Sequence, residues 1–121
     1  MLRTKPKVEL DHIGIKANDV SKYVKLFKQL GGVVTYRGVA EKYDANCTFI
    51  RFKNIDIEII KGIKGDRYNI NKQKDGLHHI AFKGKGRFRG AKPNMLVDFN
   101  KPNKKNSILI EKVCYDKRKW N

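Results

Sequence analysis

Twice in this chain a histidine interrupts a short apolar stretch and is followed two residues later by glycine or alanine, first in residues 10–15, LDHIGI, and again in residues 77–82, LHHIAF. Twice a carboxylate stands in a similar stretch, Glu58 in residues 55–60, IDIEII, and Glu111 in residues 107–113, SILIEKV. An isolated carboxylate is so unfavourable to bury that it neutralises, pairs or binds a cation, and these are two of only twelve acids. A sequence that runs from histidine stretch to acid stretch and then begins again reads as a degenerate internal repeat. His12, Glu58, His79 and Glu111 together make a donor set for one divalent cation.

The intervening residues set the elements. Residues 8–16 alternate and are rich in β-branched side chains, which predicts a strand after a basic lead-in of Arg3, Lys5 and Lys7. A helix follows: Asn18 or Asp19 supplies the cap, Val20, Tyr23, Val24, Phe27 and Leu30 recur at helical spacing, and Gly31-Gly32 stops it. Strands are predicted over residues 33–37, 47–52 and 55–60, with Lys53-Asn54 as a tight turn between the last two. The first module, about residues 8–61, therefore reads β-α-β-β-β. A polar connector occupies about 62–76. The second module, about 77–114, has strands over 77–82, 95–99 and 108–113. Its residues 83–94 hold three glycines and a proline with few apolar residues, so no helix is expected there. A basic tail, 115–121, closes the chain.

At 121 residues with 40% hydrophobic content, the sequence fills one modest core and is expected to be a single domain. It has no apolar run long enough to span a bilayer, and its start lacks the apolar region of a secretory signal, so the expectation is a cytoplasmic protein with no membrane partner. Cys47 and Cys114 lie in strand-like segments and are expected to be buried reduced thiols. Twenty-eight lysines and arginines against twelve acids give a net charge of +16, which favours anionic partners. A solvated basic surface is the plainer account of part of that excess.

On the strands quoted above, the chain resembles the vicinal oxygen chelate superfamily, which includes glyoxalase, bleomycin resistance proteins and ring-cleaving dioxygenases, over roughly residues 8–114. The resemblance implies an α+β fold of paired βαβββ modules, glyoxalase-like, cupped around a metal, with the second module lacking its helix. Family ligands lie on the first and last strands of each module, which here are His12, Glu58, His79 and Glu111. His79 aligns with His12, and because adjacent strand residues face opposite sides, His78 is expected at the periphery. Imidazole with carboxylate suits a divalent Co, Mn, Ni, Zn or Fe ion and leaves positions for substrate oxygens. The implied chemistry is metal-assisted proton transfer by an isomerase, epimerase or lyase, with a nearby carboxylate such as Glu111 carrying the proton. The motifs look most like the methylmalonyl-CoA epimerase branch, which implies a small anionic substrate of acyl-CoA type. Glu41 stands about where that branch carries a catalytic glutamate, although a solvated loop acid beside Lys42 and Asp44 is the blander reading. The ring-cleaving dioxygenases use two histidines and one glutamate, so Glu58 would be an additional ligand. The bleomycin-binding members take a cationic drug, which suits a basic chain poorly.

A second class of function follows from the basic loops. Lys83, Lys85, Arg87, Arg89 and Lys92 surround Phe88 in a glycine-rich loop, Lys101, Lys104 and Lys105 form another, and Lys117-Arg118-Lys119-Trp120 a third. Cations with an interleaved aromatic ring suit single-stranded nucleic acid, and the first loop equally suits the phosphates of a coenzyme A substrate. A shortened second module also leaves apolar edges that pairing would cover, so a homodimer is expected.

Overall fold

In a computed structural model, which describes residues 5–101 and 108–116, the chain is one curled sheet of eight strands with one α-helix on its outer face. The strands are β1 (Leu10–Lys16), β2 (Val33–Ala40), β3 (Ala45–Arg51), β4 (Asp56–Gly62), β5 (Gly76–Lys83), β6 (Phe88–Arg89), β7 (Met95–Asn100) and β8 (Leu109–Tyr115). They lie in the order β2-β3-β4-β1-β5-β8-β7-β6. Each half is thus a mirrored copy of the other in strand order, with β1 parallel to β4, β5 parallel to β8, and the antiparallel pair β1–β5 as the seam.

The helix α1 (Val20–Gln29) begins where expected: Asp19 accepts the Lys22 N–H at 3.1 Å, and Leu30 closes the helix before Gly31 turns left-handed at φ 100°. Its apolar stripe covers the outer face of module one, where Val24 packs with Ala17, Ile50 and Ile59 and with the rings of Phe27 and Phe52. The inner face carries a second cluster, including Phe49, Ile60, Met95, Val97 and Val113, which lines the cup. Cys47 is a buried free thiol, as expected, and burial pushes its pKa well up; Cys114 is free but only half-buried.

Module two differs from the sequence reading in one element. A fourth strand, the two-residue β6, pairs with β7 inside the glycine-rich basic loop, where no strand was predicted because the loop lacks apolar alternation. Its β7 pairing is supported from the side: Arg87 pairs with Asp98 at 3.0 Å, and the Phe88 ring receives Lys42 at 4.4 Å. The loop then reaches across to module one, where the Tyr36 hydroxyl donates to the Ala91 carbonyl at 3.3 Å. The two edge strands of the sheet are thereby tied to each other within one chain. Lys104, Lys105 and the tail residues Lys117, Arg118, Lys119 and Trp120 lie outside the described residues.

Truncating Ile50, fully buried beneath α1, to alanine is expected to cost roughly 2–5 kcal/mol. Urea denaturation of the purified variant checks it.

Candidate metal centre

The seam between β1 and β5 places the first two site residues. His12 lies opposite Ala81 and His79 opposite Gly14, so each imidazole faces the small residue of the other module's motif. The need for smallness is physical: a Cβ at Gly14 would fall 2.0 Å from the His79 ring. The outer strands β4 and β8, each parallel to one of these strands, bring Glu58 and Glu111 to the same place. All four residues are buried, none more than 5% exposed.

Their polar atoms converge. His12 Nε2 lies 3.1 Å from His79 Nε2, 3.1 Å from Glu58 Oε1 and 2.9 Å from Glu111 Oε1. His79 Nε2 lies 3.0 Å from Glu58 Oε1 and 3.4 Å from Glu111 Oε1. A metal with donors at about 2.0–2.2 Å separates adjacent ligands by about 3.0–3.5 Å, so the edges of this cluster match a coordination shell. Two further observations fit a cation. Glu111 Oε1 is a buried oxygen with no hydrogen-bond partner of acceptable geometry among the described residues, despite its closeness to His12. The two facing Nε2 atoms cannot each present a lone pair at 3.1 Å without a positive charge between them or a proton on one.

The opposite nitrogen of each imidazole is engaged by the residue just before it in sequence, and in both cases a β-bulge makes this geometry. The β1–β5 register skips Asp11 on one side and His78 on the other, so strand alternation fails at these two residues. Asp11 Oδ2 accepts from His12 Nδ1 at 2.7 Å and from the Tyr115 hydroxyl at 2.9 Å. His78 Nδ1 lies 2.8 Å from His79 Nδ1. Burial, helped by the neighbouring His79, pushes the His78 pKa down to about 4, so its ring is neutral and can accept the His79 Nδ1 proton, leaving His79 Nε2 free to ligate. His78, expected at the periphery, is therefore a partner of the site; the bulge overturns the alternation on which that expectation rested.

Charge in the metal-free cluster is balanced by His12. Burial is the largest influence and disfavours its charged form, but the Asp11 hydrogen bond and the facing carboxylates of Glu111 and Glu58 outweigh it and hold its pKa well above the histidine range. Burial also raises Glu58, yet hydrogen bonds from His12 and His79 bring it well below the usual carboxylate range. For Glu111 burial prevails and the pKa is raised.

Three residues of the cluster, Glu58, His79 and Glu111, line a cavity of about 1090 Å³ whose walls also include Tyr43, Ile60, Tyr68, Met95 and Phe99. The other sequence-designated residues are placed elsewhere. Glu41, in a short 3-10 turn (Glu41–Tyr43), is 72% exposed at its side chain and pairs with Lys64, outside the cluster. Lys83, Lys85, Arg87 and Arg89 are exposed and do not line the cavity, whereas Lys72, Lys74 and Lys101 do. Sequence reading passed over Asp11, Tyr115 and the connector lysines; only the adjacency of Asp11 and His78 to the two histidines was a signal.

A family model described as the glyoxalase/bleomycin resistance protein/dioxygenase superfamily matches residues 11–105. No curated protein matches the sequence. Among solved structures, a hypothetical protein, BH1468, from Bacillus halodurans C-125 is 18% identical with a TM-score of 0.72, covering 96% of this chain and 100% of that one. Methylmalonyl-CoA epimerase from Mycobacterium tuberculosis is 16% identical with a TM-score of 0.71, covering 86% of this chain and 85% of that one. A variant of Streptomyces coelicolor methylmalonyl-CoA epimerase in complex with 2-nitronate-propionyl-CoA is 18% identical with a TM-score of 0.70, covering 93% and 98%. At such identities the likeness is one of fold.

Three outcomes are expected. Gly14→Ala drives the His79 ring from its place and abolishes tight metal binding, while Asp11→Ala and His78→Phe each weaken it about 10–100-fold; competition titration against a chelating dye measures all three. A raised histidine pKa stabilises the fold below the unfolded-state value, and that contribution is lost as pH rises through the folded-state one. Chelator-treated protein should therefore lose thermal stability as the pH is raised from about 7 into the alkaline range, and added Zn or Co should restore it. A melting temperature flat across that range would count against a His12 proton standing in for the cation.

Proposed function

The chain belongs to the glyoxalase/bleomycin resistance protein/dioxygenase superfamily, and from that premise we propose that it is a divalent-metal-dependent isomerase or epimerase acting on a small anionic substrate by proton transfer. The observation that carries this reading is the convergence of four buried donors, His12, Glu58, His79 and Glu111, on one point at the floor of a large cavity. Bound there, a divalent cation supplies a Lewis acid for a substrate carbonyl, favouring loss of a proton from the adjacent carbon.

The protein's own groups divide the remaining work. His12 and His79 are oriented by Asp11 and His78, and Glu58, held ionised by both imidazoles, adds negative charge that favours a divalent over a monovalent ion. Glu111 is suited to carry the proton: its Oε1 has no hydrogen-bond partner among the described residues, and burial raises its pKa. The role falls to Glu111 rather than Glu41, whose carboxylate is solvated and paired with Lys64. An acyl-CoA thioester is the substrate to try first, because two of the similar folds are methylmalonyl-CoA epimerases and the chain is strongly basic.

The test is exchange of the acidic carbon-bound proton of methylmalonyl-CoA in D2O, followed by NMR with protein reloaded with Co, Mn, Ni, Zn or Fe. Exchange is expected only with metal, and Glu111→Gln should slow it about 10²–10⁴-fold. A chain that retains one metal ion yet exchanges neither this proton nor that of other acyl thioesters is not an enzyme of this type.

A further inference from the structure

The connector between the modules reads as polar and irregular, yet it is pinned at several points. Asp66 accepts the Ile70 N–H at 2.8 Å through one carboxylate oxygen and the Asn71 N–H at 3.0 Å through the other. Asn71 in turn accepts from the Gly62 N–H at 2.8 Å and donates to the Gly62 carbonyl at 2.9 Å. Lys16, only 1% exposed at the end of β1, donates to Asn18 Oδ1 at 2.7 Å, to Asp75 Oδ1 at 3.2 Å and to the Gln73 carbonyl. Lys64, Asp66 and Asn69 hold left-handed backbone, at φ 54°, 44° and 54°, an unfavourable state for non-glycine residues that persists where the surroundings over-determine it.

Burying a lysine and holding three such residues fixes a segment with one buried apolar side chain, Ile70. The segment presents Tyr68, Asn69, Ile70, Lys72, Gln73 and Lys74 to the cavity, and Lys101, just past β7, joins its two lysines at the same cavity. The nearby acid is withdrawn from them: Asp75 faces Lys16, the Asn18 N–H and the Tyr23 hydroxyl. Some cations of the described chain are paired, among them Arg51 with Asp56, Lys64 with Glu41, Arg67 with Asp44 and Arg87 with Asp98. Lys72, Lys74 and Lys101 have no ion pair among the described residues. The cavity thus has two carboxylates, an apolar and aromatic wall, and three cations that make no ion pair among the described residues.

We propose that Lys72, Lys74 and Lys101 form an anion-receiving subsite for the far end of the substrate. The substrate class is then a two-headed molecule, with metal-chelating oxygens at one end, an apolar middle against Tyr43 and Phe99, and a phosphate or carboxylate at the other. The proposal rests on the reading above for the floor of the cavity, and assigns the distal anion to the connector rather than to Lys83, Lys85, Arg87 and Arg89, which do not line the cavity.

The experiment compares two pairs of probes by calorimetry on the metal-loaded chain: malonyl-CoA against malonyl-pantetheine, and 2-oxoadipate against 2-oxohexanoate. Within each pair the chelating head is shared and only one member carries the distal anion. In at least one pair the anionic member should bind about tenfold more tightly, and the triple variant Lys72→Ala, Lys74→Ala, Lys101→Ala should erase that advantage while leaving the other member's affinity unchanged. The pair that shows it identifies phosphate or carboxylate as the source. Equal binding within both pairs, no binding of any probe to metal-loaded protein, or an advantage that survives the triple variant overturns the subsite. A triple Ala variant of Lys83, Lys85 and Arg87 is the control and should keep the advantage. If the chain retains no metal, the proposed reaction fails separately, and coenzyme A against pantetheine on the metal-free chain still decides the subsite by the same ratio.

Discussion

The antiparallel pairing of β1 with β5 is the constraint on which the rest of the structure depends. It is the only pairing between the two modules among the described strands, and its register sets His12 against Ala81 and His79 against Gly14. The small residue two places after each histidine is therefore room made for the other module's histidine, not a feature of its own strand. A slip of one residue would put His12 and His79 on opposite faces of the sheet and deprive Glu58 and Glu111 of one of their two imidazoles. The two bulges in this same pairing, at Asp11 and His78, convert each histidine's sequence neighbour into the acceptor for its outer nitrogen, so one strand pair sets both ligand positions and ligand tautomers.

Charge is the physical reason to read the cluster as a cation site and not as a device for stability. Bringing two carboxylates into the interior of a small sheet costs several kcal/mol per ion before any attraction is counted, and well-packed apolar residues of similar volume would stabilise the fold as well or better. The proton drawn onto His12 repays part of this in the metal-free chain. A single proton still leaves Glu111 Oε1 without a hydrogen-bond partner among the described residues and two ring nitrogens in contact. A divalent ion satisfies all four groups at once.

Much of this was legible in the sequence, for identifiable reasons. Polar residues inside apolar strands mark the four donors, the 3.6-residue stripe and Asp19 mark α1, and the recurrence of the histidine motif marks the two modules. What escaped depends on long-range contacts. β6 is two residues without alternation, and it forms because β7 lies beside it. The bulge at His78 is a property of the pairing, invisible in either strand alone. The connector looked like a linker because its order comes from Lys16, some fifty-seven residues before Gln73 in the chain, and from the side chains of Asp66 and Asn71 bonding backbone.

The missing second helix has a consequence for access to the site. In its place, residues 84–94 cross the inner side of the cup: Ala91 is buried and bonded to Tyr36, and the Lys92 ammonium sits 4.2 Å from the centre of the Phe49 ring and 5.6 Å from that of Tyr115. Phe49 and Tyr115 are the residues that flank His12 and its partner Asp11, the first edge-on at 5.7 Å between ring centres. Lys92 thus covers that flank of His12 and is attracted by the Asp11 carboxylate. The cavity opens instead toward the connector and the ends of β7 and β8, where Tyr68, Lys72, Lys74, Lys101 and Ile108 line it. A segment too rich in glycine to form a helix has in this way become a wall, and it leaves the connector, pinned by Asp66 and Asn71, on the side of the cavity away from Lys92.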